Sequence, residues 1–140
     1  MAVERSIITP PDMAKPRGYS YGVEVRGGST LYIAGQVAFD PAGKVVGAGD
    51  IVKQFEQALE NFHRVLEAGG ATPQDVVKLN IYTSDRAAYQ ANLKAIGRAY
   101  RAVFGHHYPA MTLVEVKSLY DEGILVEVEG VAVTDVSQEP

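Results

Sequence analysis

No cysteine occurs in this chain of 140 residues. Disulfides, thiolate nucleophiles and thiolate-bound metals are excluded together. Also lacking is any apolar run near the roughly 18 residues that a membrane helix needs, so a bilayer span is excluded. The opening stretch MAVERSIITPPDMAKP brings in Glu4 and Arg5 early and holds only a three-residue apolar run. It lacks the apolar core of a secretory signal, and cytoplasmic residence is the expectation. Surplus positive charge is missing too: 13 Lys and Arg stand against 17 Asp and Glu, a formal net charge of −4. Phosphate contacts need Lys and Arg gathered on one face, so a nucleic-acid partner is not expected. The nearest basic stripe, Lys94, Arg98 and Arg101 at helical spacing, reads as a solvated helix face.

What is present fits one ordinary soluble domain over residues 1–140, with 46% hydrophobic residues and 14 glycines. YSYGVEVRGGSTLYIAGQV places two apolar, β-branched runs around Arg26-Gly27-Gly28-Ser29. That is hairpin composition and predicts that the two runs pair antiparallel. Ala38 to Gly49, with Asp40-Pro41 and three glycines, reads as a loop. Asp50 then caps a helix in which Ile51, Phe55, Ala58, Leu59, Phe62 and Leu66 recur at three and four residues, and Gly69-Gly70 ends it. A strand follows from about Val76 to Thr83. A second helix opens at Ser84 or Asp85, carries Tyr89, Leu93, Ile96, Tyr100 and Phe104 as its apolar stripe, and stops at Gly105. Strands from Thr112 to Val116 and from Ile124 to Val133 complete the order β-β-α-β-α-β-β, and residues 134–140 are expected as a flexible tail.

This order predicts an α+β fold with two helices packed on one face of a mixed sheet. The last strand then divides its side chains: Val126, Val128, Gly130 and Ala132 on one side, Glu127, Glu129, Val131 and Val133 on the other. The second side is only half polar. Burial against another copy of the chain, with carboxylates in the seam, is the expectation.

Several stretches resemble the RidA/YjgF family: RGYSYGVEV, LYIAGQVAFDPAGKVV, GDIVKQFEQALENFHRVLEAGGATPQDVVKLNIYTSD, YPAMTLVEV and VEVEGVAV. The resemblance spans nearly the whole chain. It implies a chorismate-mutase-like fold, a homotrimer around a central barrel of sheets, and a ligand cleft between each pair of subunits. It further implies a cytosolic hydrolase of metabolite damage control that deaminates reactive 2-imino acids, with no metal and no organic cofactor. In that chemistry an arginine holds the substrate carboxylate, while a carboxylate and a tyrosine position water and the leaving nitrogen.

The family's arginine follows Pro-Ala, but here the stretch is Pro109-Ala110-Met111. A thioether cannot neutralise a carboxylate, so Met111 reads as apolar lining. Tyr19 and Glu127 match the catalytic tyrosine and carboxylate. Arg17-Gly18 replaces the usual Gly-Pro before the tyrosine, and Ala34 stands where a serine is common, while Gly35 and Gln36 are retained. The asparagine of the second helix has no match, since that helix runs about one turn longer and places Gly97 there. Arg17 could reach into the cleft with a replacement charge; its plainer reading is an exposed loop cation. Thr112, next along the strand from Met111, is assigned to the same cleft.

Other candidates have plain readings as well. His106 and His107 precede that strand and could act as acid, base or cation, but read more simply as loop residues after a helix C-terminus. No third ligand at metal spacing accompanies them. Glu127 and Glu129 share a strand face and could pair as acid and base, or Glu129 could meet a cation in the seam. Three functions stay open. One is binding and hydrolysis of an imine or enamine other than the usual 2-imino acids. Another is a non-catalytic ligand-binding or chaperone-like trimer. Endoribonuclease action is the weakest, given the acidic charge.

Overall fold

The computed structural model describes residues 2–135. Strands β1 (Glu4–Ile8) and β2 (Gly22–Arg26) form a two-stranded ribbon. After β3 (Ser29–Gln36) comes α1 (Ile51–Ala68), then a 3₁₀ turn at Pro73–Asp75 and β4 (Val76–Thr83). Helices α2 (Arg86–Ala91) and α3 (Leu93–Phe104) lead to β5 (Ala110–Glu115), and β6 (Val126–Thr134) closes the fold. The main sheet has the order β3-β6-β4-β5. Only β4 and β5 run parallel; β6 is antiparallel to both its neighbours.

Local chemistry sets the bounds of α1. Asp50 accepts from the backbone N–H groups of Val52 and Lys53, both at 3.1 Å, which satisfies two donors that the first turn leaves unpaired. Its buried stripe then lays Phe55, Leu59, Phe62 and Leu66 onto the sheet with no exposed surface. Burial of each such side chain contributes about 1.5–3 kcal/mol. Tyr100 and Phe104 of α3 stack at 4.6 Å between ring centroids, and Phe104 meets Phe62 at 6.2 Å. Gln54 is the buried polar member of α1. It donates to the carbonyls of Gly47 (3.2 Å) and Gly123 (2.8 Å) and accepts from the Leu125 N–H (2.8 Å), tying two loops to the helix.

The expected hairpin does not form. β2 pairs with β1, from Glu4↔Arg26 to Ile8↔Gly22, whereas β3 pairs with β6. Gly27 and Gly28 make the turn with φ of 76° and 82°, and the chain passes there from the ribbon into the main sheet. β1 escaped the sequence because all five of its residues are exposed and no alternation marks them. It is held instead by its end: Arg5 bonds Asp75 at 2.7 Å and the Val133 carbonyl. The single second helix is likewise two. At Asn92 (φ −120°, ψ 25°) the side chain donates to the Ala88 carbonyl at 2.7 Å and the backbone N–H turns to Tyr89, so the α-helical ladder is interrupted. Thr134, placed in the expected tail, pairs with Ser29, and Asp135 accepts from the Val3 N–H at 2.7 Å. The rest of that tail, residues 136–140, lies outside the described residues.

The helices all lie on one sheet face, as the alternation of β6 predicts. Val126, Val128, Gly130 and Ala132 are buried beneath them. The other face is uncovered in the single chain: Tyr32 is 78% exposed there, and Glu127, Glu129 and Val131 are half-buried.

A Cβ added at Gly130 would stand 2.6 Å from the Lys78 carbonyl oxygen and 2.9 Å from Cζ of Phe62. Neither backbone nor packed ring can yield cheaply. Gly130→Ala should therefore lower stability by about 2–3 kcal/mol, seen as a drop in urea midpoint at constant slope. An unchanged midpoint would mean that α1 has room to shift.

Candidate functional site

The matched residues fall into two groups. The first gathers at the free edge of β5. The Ser20 N–H donates to the Pro109 carbonyl at 3.0 Å, and its hydroxyl donates to the Tyr108 carbonyl at 2.6 Å. These bonds stitch the segment after Pro16 to the start of β5, with Ser20 bridging Ala110 in parallel. Arg17 and Gly18 are thereby brought to a cavity of about 370 Å³ that Met111 also lines. Pairing with Leu79 turns Met111 toward the helix-covered face, where it packs on the core beside Tyr108. Tyr19 is half-buried and sets its ring edge-on to Tyr21, 5.6 Å between centroids.

The second group lies across the sheet. A bulge between Ile33 and Gln36 distorts β3 where it meets β6. Gly35 sits in it, and the Glu127 carboxylate occupies the space its side chain would take: a Cβ there would be 1.8 Å from Oε2. Only glycine admits the carboxylate at that depth. Ala34 is exposed beside it, and its carbonyl accepts from Gln36 Nε2 at 3.3 Å. Thr112 does not share the side of Met111, because neighbours on a strand point to opposite faces. It accepts from Lys78 Nζ at 3.2 Å on the uncovered face instead.

Glu127 and Glu129 do share a face, but their surroundings differ. Glu129 accepts from Asn80 Nδ2 (3.3 Å) and from the Tyr82 hydroxyl, and the bond from Tyr82 raises that phenol's pKa. Glu127 has no ion-pair partner among the described residues. Burial, and then the charge of Glu129, push its pKa above the usual carboxylate value. One carboxylate is thus anchored by hydrogen bonds while the other, its pKa raised, is poised to take a proton, which is how paired carboxyls acquire separate roles. Asn80 and Tyr82 were not singled out in the sequence. Their signal was the alternation with Leu79 and Ile81 along β4.

Tyr19 and Glu127 do not converge within one chain. β4 and β5 stand between β6 and the Tyr19 segment, and neighbouring strands are about 4.8 Å apart. The histidines have structural positions: His107 Nε2 meets the Val76 carbonyl at 2.7 Å, its own carbonyl accepts from the Tyr100 hydroxyl at 2.7 Å, and His106 is exposed. Among the described residues no cluster of three metal-ligating side chains occurs, and no helix is long and apolar enough to cross a membrane.

Residues 12–134 match the family described as Endoribonuclease L-PSP. Over 128 residues the chain is 34% identical to a RutC family protein of Pyrococcus horikoshii, which covers 91% of this chain and 97% of that one. It is 33% identical over 131 residues to the 2-iminobutanoate/2-iminopropanoate deaminase of Capra hircus, covering 94% and 90% respectively. Among solved structures, the Rid family protein YyfB of Yersinia pestis is similar with a TM-score of 0.83 at 38% identity, over 92% of this chain and 98% of that one. The YjgF gene product of E. coli gives a TM-score of 0.63 at 29% identity, over 82% and 87%.

The raised pKa of Glu127 has a defined sign. Its protonated form is the one the fold favours, so its stabilising share is complete below the ordinary carboxyl value of 4.5 and is lost as pH rises through the elevated folded value. Glu127→Gln should thus leave the melting temperature unchanged near pH 4 and raise it near pH 7. A mutant less stable than wild type at pH 7 would mean that a cation pairs with Glu127.

Proposed function

We propose, because this chain belongs to the endoribonuclease L-PSP (RidA/YjgF) family, that it binds and hydrolyses a small imine or enamine in a cleft between two copies of itself. The observation that carries this reading is the division of the matched residues. Arg17, Tyr19 and Met111 gather at one edge of the sheet; Ala34, Gly35, Gln36 and Glu127 gather at the opposite edge. A site needing both sets is completed by a second chain. The uncovered sheet face, half apolar and carrying Tyr32, Val114 and Val131, supplies a surface for that contact, and a closed homotrimer satisfies it for every copy.

The chemistry needs only a base, a positioned water and a shaped pocket. Glu127 takes a proton from water as the oxygen adds to the imine carbon, with the hydroxyl of Tyr19 from the neighbouring copy orienting that water. The proton passes to nitrogen, the hydroxyl proton of the resulting carbinolamine follows it through the same carboxylate as the C–N bond breaks, and a carbonyl compound and ammonia leave. No charge at Met111 holds a small carboxylate, so the three-carbon 2-imino acid is a poor substrate.

A second reading keeps the scaffold and loses the chemistry, and Met111 in place of an arginine favours it. RNA cleavage fits worst, since the formal charge is −4 and both carboxylates of β6, on the uncovered face, would oppose the polyanion.

Sedimentation equilibrium at micromolar concentration should give a trimer mass, and a monomer would overturn the cleft. Glu127→Gln should cut hydrolysis by roughly a hundredfold or more and keep ligand binding within about threefold, as expected for loss of a general base. Hydrolysis of no imine by the wild-type protein would establish the binding-only reading.

A further inference from the structure

We infer that the cavity beside Met111 receives a carboxylate with a bulky apolar or aromatic side chain, and that Arg101 of α3 holds its carboxylate group. This rests on the cleft reading above and names the ligand class that fits it. The cavity, about 370 Å³, falls within the range of small-molecule sites, about 300–1,000 Å³. Its walls are hydrocarbon and aromatic: Ile81, Leu93, Ile96, Tyr108 and Met111. Leu93 is 56% exposed at this wall, an apolar side chain left without a partner.

Charge at the cavity has one sign. Arg17 and Arg101 both line it, no carboxylate does, and neither arginine has an ion-pair partner among the described residues. Arg98, from the same basic stripe, faces away beside Glu56 and Glu60. Arg101 is aimed by a glycine. Gly97 lies one turn earlier on α3, and a Cβ there would stand 3.1 Å from Arg101 Nη1. Glycine inside a helix is unfavourable, so its place beneath a guanidinium calls for a reason. Without a side chain at 97, the Arg101 chain folds back over the helix toward the cavity.

The anion clamp is thus moved from β5 to α3. Met111 adds apolar wall where a guanidinium on β5 would have filled space. A small acid would leave that wall wet, whereas a branched or aromatic side chain covers it while its carboxylate meets the planar fork of Arg101. Arg17, across the mouth, adds a second cation without which the pairing still forms.

The test is calorimetric titration of the intact protein with 2-oxo acids, which replace the C=NH of an imino acid by C=O. Phenylpyruvate and 4-methyl-2-oxopentanoate should bind at least about tenfold more tightly than pyruvate, and the amide of phenylpyruvate should bind poorly. Arg101→Gln should weaken binding by roughly tenfold to a hundredfold at unchanged melting temperature, and Arg101→Lys should recover part of it. Arg17→Gln should cost less than fivefold by the same comparison. Equal affinity for pyruvate and the bulky acids would overturn the assignment, as would Arg101→Gln within twofold of wild type or no binding at all. The two proposals fail separately. Binding that needs Arg101 without hydrolysis of the matching imine leaves the clamp standing and removes the catalytic reading. Hydrolysis that needs Glu127 but is indifferent to Arg101 does the reverse.

Discussion

The closeness of α1 to the sheet depends on Gly130, against which Phe62 is seated. β6 is central, hydrogen-bonded to β3 on one side and β4 on the other, and at Gly130 both the Phe62 ring of the helix and the Lys78 carbonyl of the neighbouring strand come too close to admit a Cβ. The ring of Phe62 fills the gap a side chain would have taken. Phe104 packs on that ring and Tyr100 on Phe104, so α3 takes its place over the sheet from the same contact. With both helices on one face, the other face of the sheet is left to be covered by something else or by water.

That asymmetry organises the chemistry. Side chains on β6 alternate between a buried, apolar environment and an uncovered, polar one, and the two carboxylates fall on the uncovered side. Glu129 is held by hydrogen bonds from Tyr82 and Asn80; Glu127, partly buried over Gly35 and beside Glu129, holds its proton more tightly than a free carboxyl. The bulge in β3 is part of this arrangement, since it presents a glycine where the carboxylate must rest. On the far edge of the sheet the environment is the opposite: an apolar cavity with guanidinium groups at its margin. A proton acceptor and a cationic, apolar pocket are thus built on one sheet but aimed in different directions. In the proposed cleft, apposition of two copies brings them together.

Elements whose cause lies within a few residues were legible in the chain itself. Asp50 and the spacing of Phe55, Leu59, Phe62 and Leu66 define α1, because capping and helical periodicity are local. The alternation of β4 and β6 identifies them as strands and puts Glu127 and Glu129 on one face. The period of two also separates Met111 from Thr112, although adjacency on the strand assigns both to one cleft. Which side of Met111 is which required the register with Leu79.

Pairing partners were decided by tertiary structure. Gly27-Gly28 has the composition of a hairpin turn, yet the free energy of strand pairing depends on which edges meet, and β6 took the edge of β3 while β1, with no buried residue, took β2. The same holds for the site. Three basic residues at helical spacing look alike in sequence, but packing of α3 turns Arg101 to the cavity and Arg98 to the acidic side chains of α1. Glu127 and Glu129 are identical in type and two residues apart. Their difference comes from Tyr82 and Asn80 on one adjacent strand and from Gly35 on the other. A chain determines its local geometry through short-range sterics and hydrogen bonds, whereas charge environment and cavity shape belong to groups distant in sequence, and exist only once those groups are packed together.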